Sequence, residues 1–368
     1  MSVDMGTDVR HNHNLAISSK EERSVKAVVF HEFGGSDVLK LEEIPDPSPG
    51  PGEVTIDIAA CALNHLDVDI REGVSRFPVE PPFVLGLEVV GRIAELGPGV
   101  EGWEVGDRVM PYLMGTCGQC RFCRSGRESL CLAPGFIGFS TSGGYAEKLA
   151  CSVSHLIRVP DELSDEQAAA LQIAFATSWH MLFTRGKLQP GETVLINSVG
   201  SGIGSAAVQL AHLAGAYVIG TSSRDDKLAR ASELGMDAGI NYTEQDIVEE
   251  ALRLTDRRGV DLVYEHAGGE LFQKGLDSLS KDGRLVTCGA HSGEVVSFDI
   301  IPFFRTQKSI IGSFVYTRAE VETVLELARR GKLQPIVHQT FPLEQAKDAM
   351  DTMESREFFG KIVLTPGS

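Results

Sequence analysis

The stretch "NSVGSGIGSAAVQL", residues 197–210, decides the fold. An apolar run, "TVLIN", leads into it, and "SAAVQLAHLAGA" leads out with helical spacing. Strand, glycine loop and helix in that order form the setting in which a backbone can cradle a pyrophosphate. The glycines allow close approach, and the helix start supplies amide donors and a positive dipole. The spelling is irregular, because Ser205 stands in the sixth position of a GxGxxG begun at Gly200. A plain tight turn is the structural alternative, but the flanking strand and helix favour nucleotide binding. Ser201, Gly202, Ile203 and Gly204 are the candidate contacts.

Downstream the alternation continues. "YVIGTSS" reads as strand, "RDDKLARASELG" as helix, and "VDLVYEHAGG" and "GRLVTCGA" as two further strands. Continuous apolar strands alternating with helices predict a parallel sheet covered on both faces. At the end of the second strand, "GTSSRDD" places Ser222, Ser223 and Arg224 where an acidic side chain would bind a ribose 2′-hydroxyl, with Lys227 just beyond. Small hydroxyls and a guanidinium suit a 2′-phosphate, so NADP(H) is expected over NAD(H). The alternative is a surface pair between Arg224 and Asp225 or Asp226, which leaves the preference open.

Upstream the rhythm differs. Short apolar runs such as "VKAVVFHEFG", "FVLGLEVVGRIAELGPGV" and "GDRVMPYL" are separated by Gly/Pro turns, which predicts a β-rich, barrel-like module before about residue 160. Then "SDEQAAALQIAFATSWHMLF" opens a helix, with Ser164 at the N-cap and Gln167 completing a capping box. "SIIGSFVY", 309–316, reads as an apolar strand at the sheet edge, and such an edge is usually paired or covered. The loudest motif is "CGQCRFCRSGRESLC". Cys117, Cys120, Cys123 and Cys131 are separated by two, two and seven residues. Four thiolates on one loop close around a zinc ion with no position left for water. Chance spacing, reactive thiols or an iron–sulfur cluster are the alternatives.

Composition bounds the partners. The 368 residues carry a net charge of -17, which disfavours nucleic acid and anionic membranes, and no apolar run suits a membrane span. Residues 1–24 lack the basic and apolar blocks of a signal sequence and are expected to form a polar, disordered extension. Seven cysteines, four of them clustered, fit a reducing cytoplasm better than a disulfide framework.

These stretches in this order, together with "PGPGEVTIDIAACALNHLD", "GGYAEK" and the closing "GKIVL", resemble the medium-chain dehydrogenase/reductase superfamily over about residues 25–366. The superfamily includes zinc alcohol dehydrogenases and quinone reductases. The resemblance implies an α/β protein with a GroES-like β-barrel catalytic domain, 25–160, carrying a zinc lobe at about 114–132. A Rossmann-like domain with a doubly wound parallel sheet, 161–315, would follow, and 316–368 would complete the catalytic domain. It further implies an interdomain active site and a homodimer or homotetramer.

Zinc alcohol dehydrogenases of this superfamily hold a structural zinc on four cysteines with the spacing found here. Their catalytic zinc takes two cysteines and a histidine from three segments, and this chain has Asn64, Leu87 and Ile173 at those places. One structural zinc per chain and no catalytic zinc are therefore expected. Quinone reductases carry Asn at the Asn64 position and reduce enones or quinones without zinc. By that resemblance Asn64, His65 and Asp67 are the candidate catalytic residues. Asn64 would donate to a carbonyl, and His65 would act as proton source or instead contact the diphosphate or ribose. Thr177 and the "CGAHSG" loop, with Gly289 and His291, are expected near the nicotinamide. The expectation is an NADPH-dependent oxidoreductase acting on an enone, quinone or other activated carbonyl. An alcohol or aldehyde dehydrogenase without catalytic zinc is the enzymatic alternative. A non-catalytic nucleotide-binding scaffold or redox sensor is the alternative from another class.

Overall fold

The computed structural model describes residues 23–367. The expected N-terminal extension lies outside them except for its last two residues, and Ser24 already opens a strand, Ser24–Phe30. A seven-stranded sheet forms the wall of the first domain. Its order is Leu156–Arg158, Arg108–Pro111, Glu88–Leu96, Glu53–Ala62, Lys361–Thr365 and Val337–Pro342, with Lys148–Ser152 also paired to Glu53–Ala62. Two of these strands come from the C-terminal end of the chain. Val363 and Leu364 pair antiparallel with Ala62 and Cys61, so the last segment closes the barrel begun by the first.

The second domain is built on six parallel strands in the order Ala238–Asn241, Tyr217–Ser222, Thr193–Ile196, Val260–Glu265, Leu279–Thr287 and Ser309–Gly312. This is the doubly wound dinucleotide-binding order, and its crevice opens where the chain reverses direction across the sheet, between Thr193–Ile196 and Val260–Glu265. Helix Gly202–Leu213 follows the glycine loop with its inner face buried from Gly204 to Ala211.

Several elements differ from the sequence reading. Strand Ala238–Asn241 and helices Ile247–Leu254, Gly269–Ser278 and Ile300–Arg305 were not anticipated. Four residues give too short an alternation to read, and the flanking glycines obscure the second helix. A helix also begins directly after Asn64, His65–Arg71, within the module expected to be β-rich. The capping box at Ser164 forms, with Gln167 N–H donating to Ser164 Oγ at 3.2 Å and Ser164 N–H to Gln167 Oε1 at 3.1 Å. The helix it starts ends at Ala169, and the chain continues through two wide π turns, Gln172–Ala176 and His180–Arg185. Among the described residues no helix is long and apolar enough to cross a membrane.

Candidate active site

The cofactor cradle is assembled from four predicted segments. Ser201 caps helix Gly202–Leu213 by accepting from the Gly204 amide at 3.0 Å. A Cβ on Gly204 would lie 2.3 Å from Ser198 O, so only glycine lets the loop fold this tightly. Ile203 is half-buried, and its carbonyl accepts from Ser178 Oγ at 2.9 Å. Gly289 is likewise required, because a Cβ there would meet His266 O at 2.4 Å. This contact and the bond from Ser292 N–H to Ala267 O, 2.7 Å, pin the loop carrying His291 to the end of strand Val260–Glu265. Thr177 sits half-buried between the two π turns.

His266, which the sequence reading passed over, belongs to this cradle. It is 7% exposed, and its Nε2 lies 3.2 Å from Ser201 Oγ. Ser201 spends its own proton on Ser198 O at 3.0 Å, so His266 Nε2 must carry the hydrogen that joins them. That leaves Nδ1 as a buried lone pair without a partner among the described residues. Burial, followed by the nearby His291, pushes the His266 pKa down to about 4, so the ring is neutral at neutral pH. A neutral acceptor beside a glycine loop fits a ribose hydroxyl or a carboxamide N–H of a dinucleotide. The available signal was positional, a polar residue directly after a central parallel strand.

At the adenosine end, Ser222 is buried and Ser223 and Arg224 are exposed. The Arg224 guanidinium is held by both oxygens of Asp226, at 2.9 and 3.1 Å, which realises the surface-pair alternative. Asp225 instead accepts from Asn241 Nδ2 at 2.7 Å. Lys227 Nζ donates to Arg356 O at 2.6 Å.

Across the cleft, the place expected to lack a catalytic zinc is filled by the protein itself. Lys361 Nζ donates to Leu63 O at 2.6 Å and Asn64 Oδ1 at 2.7 Å, and pairs with Glu88 Oε2 at 2.8 Å. Three acceptors match the three hydrogens of an ammonium. The side chains of Lys361 and Glu88 are 8% and 1% exposed, and Glu88 Oε1 accepts from the Ile173 amide. Leu87 beside them is buried and apolar. Neither these ligand types nor the buried cation fits a zinc ion there. Lys361 reaches this position by passing Gly202, whose Cβ would lie 2.7 Å from Lys361 Cδ. Lys361 was missed as a site residue; its signal was a lone cation inside the apolar strand "GKIVL".

Two of the catalytic candidates take roles other than those expected. Asn64 Nδ2 gives its hydrogens to Glu88 Oε2 at 3.2 Å and Ala62 O at 3.3 Å, so its amide is committed within the protein. Asp67 is fully buried and faces away from solvent. Its oxygens accept from Asn64 N–H at 2.8 Å, Tyr145 O–H at 3.1 Å and Gly86 N–H at 3.3 Å. It is a bracket that fixes the start of the helix, and burial raises its pKa to about 6. His65 alone of the three reaches the cleft mouth, with its side chain 40% exposed. Burial, then the neighbouring His291, lowers its pKa.

The cysteine lobe is compact. The four Sγ atoms lie within 4.8 Å of one another, with Cys117–Cys123 at 4.0 Å and Cys120–Cys123 at 3.5 Å. A tetrahedron with Zn–S bonds of about 2.3 Å has edges of about 3.8 Å, so the arrangement fits a four-thiolate zinc site. The amides of Cys117, Cys120 and Cys123 donate to Cys131, Cys117 and Cys120 Sγ at 3.3, 3.4 and 3.5 Å, which suits thiolate charge.

Comparison with known proteins agrees with this architecture. Residues 50–161 match the alcohol dehydrogenase GroES-like domain, and residues 202–330 match the zinc-binding dehydrogenase family. An alcohol dehydrogenase of Geobacillus stearothermophilus is 35% identical over 349 residues, covering 92% of this chain and 99% of that protein. A 2-haloacrylate reductase of a Burkholderia species is 32% identical over 356 residues, covering 93% and 99%. A solved NAD-dependent alcohol dehydrogenase superposes with a TM-score of 0.89 at 38% identity, over 93% of this chain and all of that one, 100%. The chain belongs to the medium-chain dehydrogenase/reductase superfamily, and within it is an NAD(P)-dependent oxidoreductase.

Proposed function

We propose that the chain reduces a conjugated carbonyl compound, an enone or quinone, with no zinc ion at the reacting centre. The observation that carries this reading is Lys361, whose three hydrogen bonds fill the space between Asn64, Glu88 and the Ile173 segment. Reduction of a simple ketone develops localised alkoxide charge, which a Lewis acid would normally stabilise. A conjugated acceptor spreads that charge over an enolate or hydroquinone and places smaller demands on the protein. When bound, a reduced nicotinamide supplies the hydride. Ser201, Gly204 and Gly289 would shape its cradle, and the unpartnered Nδ1 of His266 would accept from it once exposed by binding. The proton that completes reduction would enter from solvent at the open mouth, past the half-exposed His65.

The cofactor preferred is NADP(H), supported by Ser222, Ser223, Arg224 and Lys227 and by the lack of an acid at the end of strand Tyr217–Ser222. Arg224 must then exchange Asp226 for the 2′-phosphate. The four thiolates hold one structural zinc per chain, which orders the lobe. A homodimer forms through strand Ser309–Gly312, beside which Ile300, Phe304 and Phe314 are exposed.

A second reading is oxidation of an alcohol without a catalytic zinc, favoured by the full-length likeness to an alcohol dehydrogenase and by the intact cysteine set. NADPH oxidation with an enone and a quinone, set against NADP⁺ reduction with primary and secondary alcohols, separates the two. Turnover only with alcohols overturns the first reading.

A further inference from the structure

We propose that His65, Asp69 and His291 form a second metal site, which binds one divalent transition ion and clamps the two domains together across the mouth of the cleft. The ligand atoms of these three side chains lie within 4.8 Å of one another. His65 and Asp69 stand one turn apart on helix His65–Arg71 of the barrel domain, and His291 comes from the loop after the fifth strand of the parallel sheet. The separations are longer than a charge-assisted hydrogen bond and close to the edges of a coordination polyhedron. His65 Nε2 is 3.7 Å from Asp69 Oδ1, and His291 Nδ1 is 3.4 Å from Asp69 Oδ2. A charge-assisted hydrogen bond would be about 2.7–2.9 Å long. A tetrahedron with bonds of about 2.0–2.1 Å has edges of about 3.3–3.4 Å, the length of the closer pair. The two imidazoles meet edge to face with centroids 4.2 Å apart, so small ring rotations would be needed for both to face one ion.

Among the described residues the three side chains contact one another and make no side-chain hydrogen bond outside the cluster. Two imidazoles and one carboxylate select zinc, cobalt or nickel over magnesium or calcium, which prefer oxygen. Side-chain exposures of 40%, 25% and 38% leave the ion reachable from solvent, with at least one position open to water. The site is thus weaker and more exchangeable than the four-thiolate lobe. Beside it, Arg76 pairs with Glu294 between the same two segments, so the ion would reinforce an existing contact. The inference stands whichever substrate the cleft accepts, and its test involves no turnover.

The test uses the full chain carrying zinc on its thiolates. Cobalt(II) is added by equilibrium dialysis, and both metals are counted. One equivalent of cobalt should bind, with weak visible bands and no thiolate-to-metal charge transfer. Its affinity should fall by roughly tenfold or more in His65→Ala, Asp69→Ala and His291→Ala alike. Zinc content should stay constant in all three variants. No bound cobalt in the parent overturns the proposal. Cobalt binding that survives all three substitutions places the ion elsewhere and overturns it equally.

Discussion

The cysteine lobe and the cleft floor occupy the same domain and answer the same chemical question in opposite ways. In the lobe, four ligands lie within fifteen residues and their sulfurs already gather within 4.8 Å of one another. On the cleft floor, the corresponding positions come from three segments, and a lysine from a fourth takes the central place. A local site closes with little chain entropy, whereas a dispersed one depends on the whole fold holding its parts. The lobe is therefore readable as a motif, and the floor only as a structure. The lobe would be built around an ion; the floor is already complete without one.

The most disruptive way to probe this contrast is Cys120→Ser. Hydrogen exchange across residues 114–132 should accelerate by roughly three orders of magnitude, while strands Thr193–Ile196 and Val260–Glu265 keep their protection. Unchanged exchange in the lobe would break the comparison on the metal side.

The counterpart on the floor is Lys361→Met. Glu88 would be left buried and unpaired, at a cost of about 3–5 kcal/mol in denaturant unfolding. Adding Glu88→Gln should recover much of that loss, because the uncompensated charge is gone. If the double variant is no better than the single one, the pair is not what holds the floor together.

A subtler probe is pH. His266 has a folded pKa near 4 against an ordinary value of 6.5, so between those values the unfolded chain binds more protons than the folded one. Its contribution is complete above pH 6.5 and is lost as pH falls toward 4, by about 3 kcal/mol in all. His266→Gln should flatten this part of the stability profile and weaken dinucleotide binding measured by fluorescence titration. An unaltered profile would remove His266 from the cradle.

The smallest effect is expected at the cofactor's far end. Arg224→Ala should weaken NADPH binding about tenfold with NADH nearly unaffected. It should leave the melting temperature almost unchanged, since an exposed ion pair contributes little. Equal losses for both cofactors would end the case for 2′-phosphate recognition.

What could be read in advance follows the same division. The glycine loop, the alternating strands and the cysteine spacing are local patterns, and each stands where expected. Strand Ala238–Asn241 escaped because four residues carry too little periodicity. The site residues that escaped are held by partners far away in sequence. Lys361 lies 297 positions from Asn64, and His266 lies 65 from Ser201. Asp67 looked like a member of the chemical set because it sits three residues from Asn64, yet one turn of helix carries it into the interior. Proximity along the chain marked the right neighbourhood and the wrong side chain.

Lys361 also bears on how such a protein can change over time. Placing a metal on the cleft floor would require ligands at 64, 87 and 173 and departure of the lysine as well. Any ion arriving first would meet an ammonium only a few ångströms away in a poorly solvated space, where like charges repel strongly. Losing the lysine first would leave Glu88 without its counter-charge. Each single step is uphill, so the lysine and an ion on this floor exclude one another unless several positions change together.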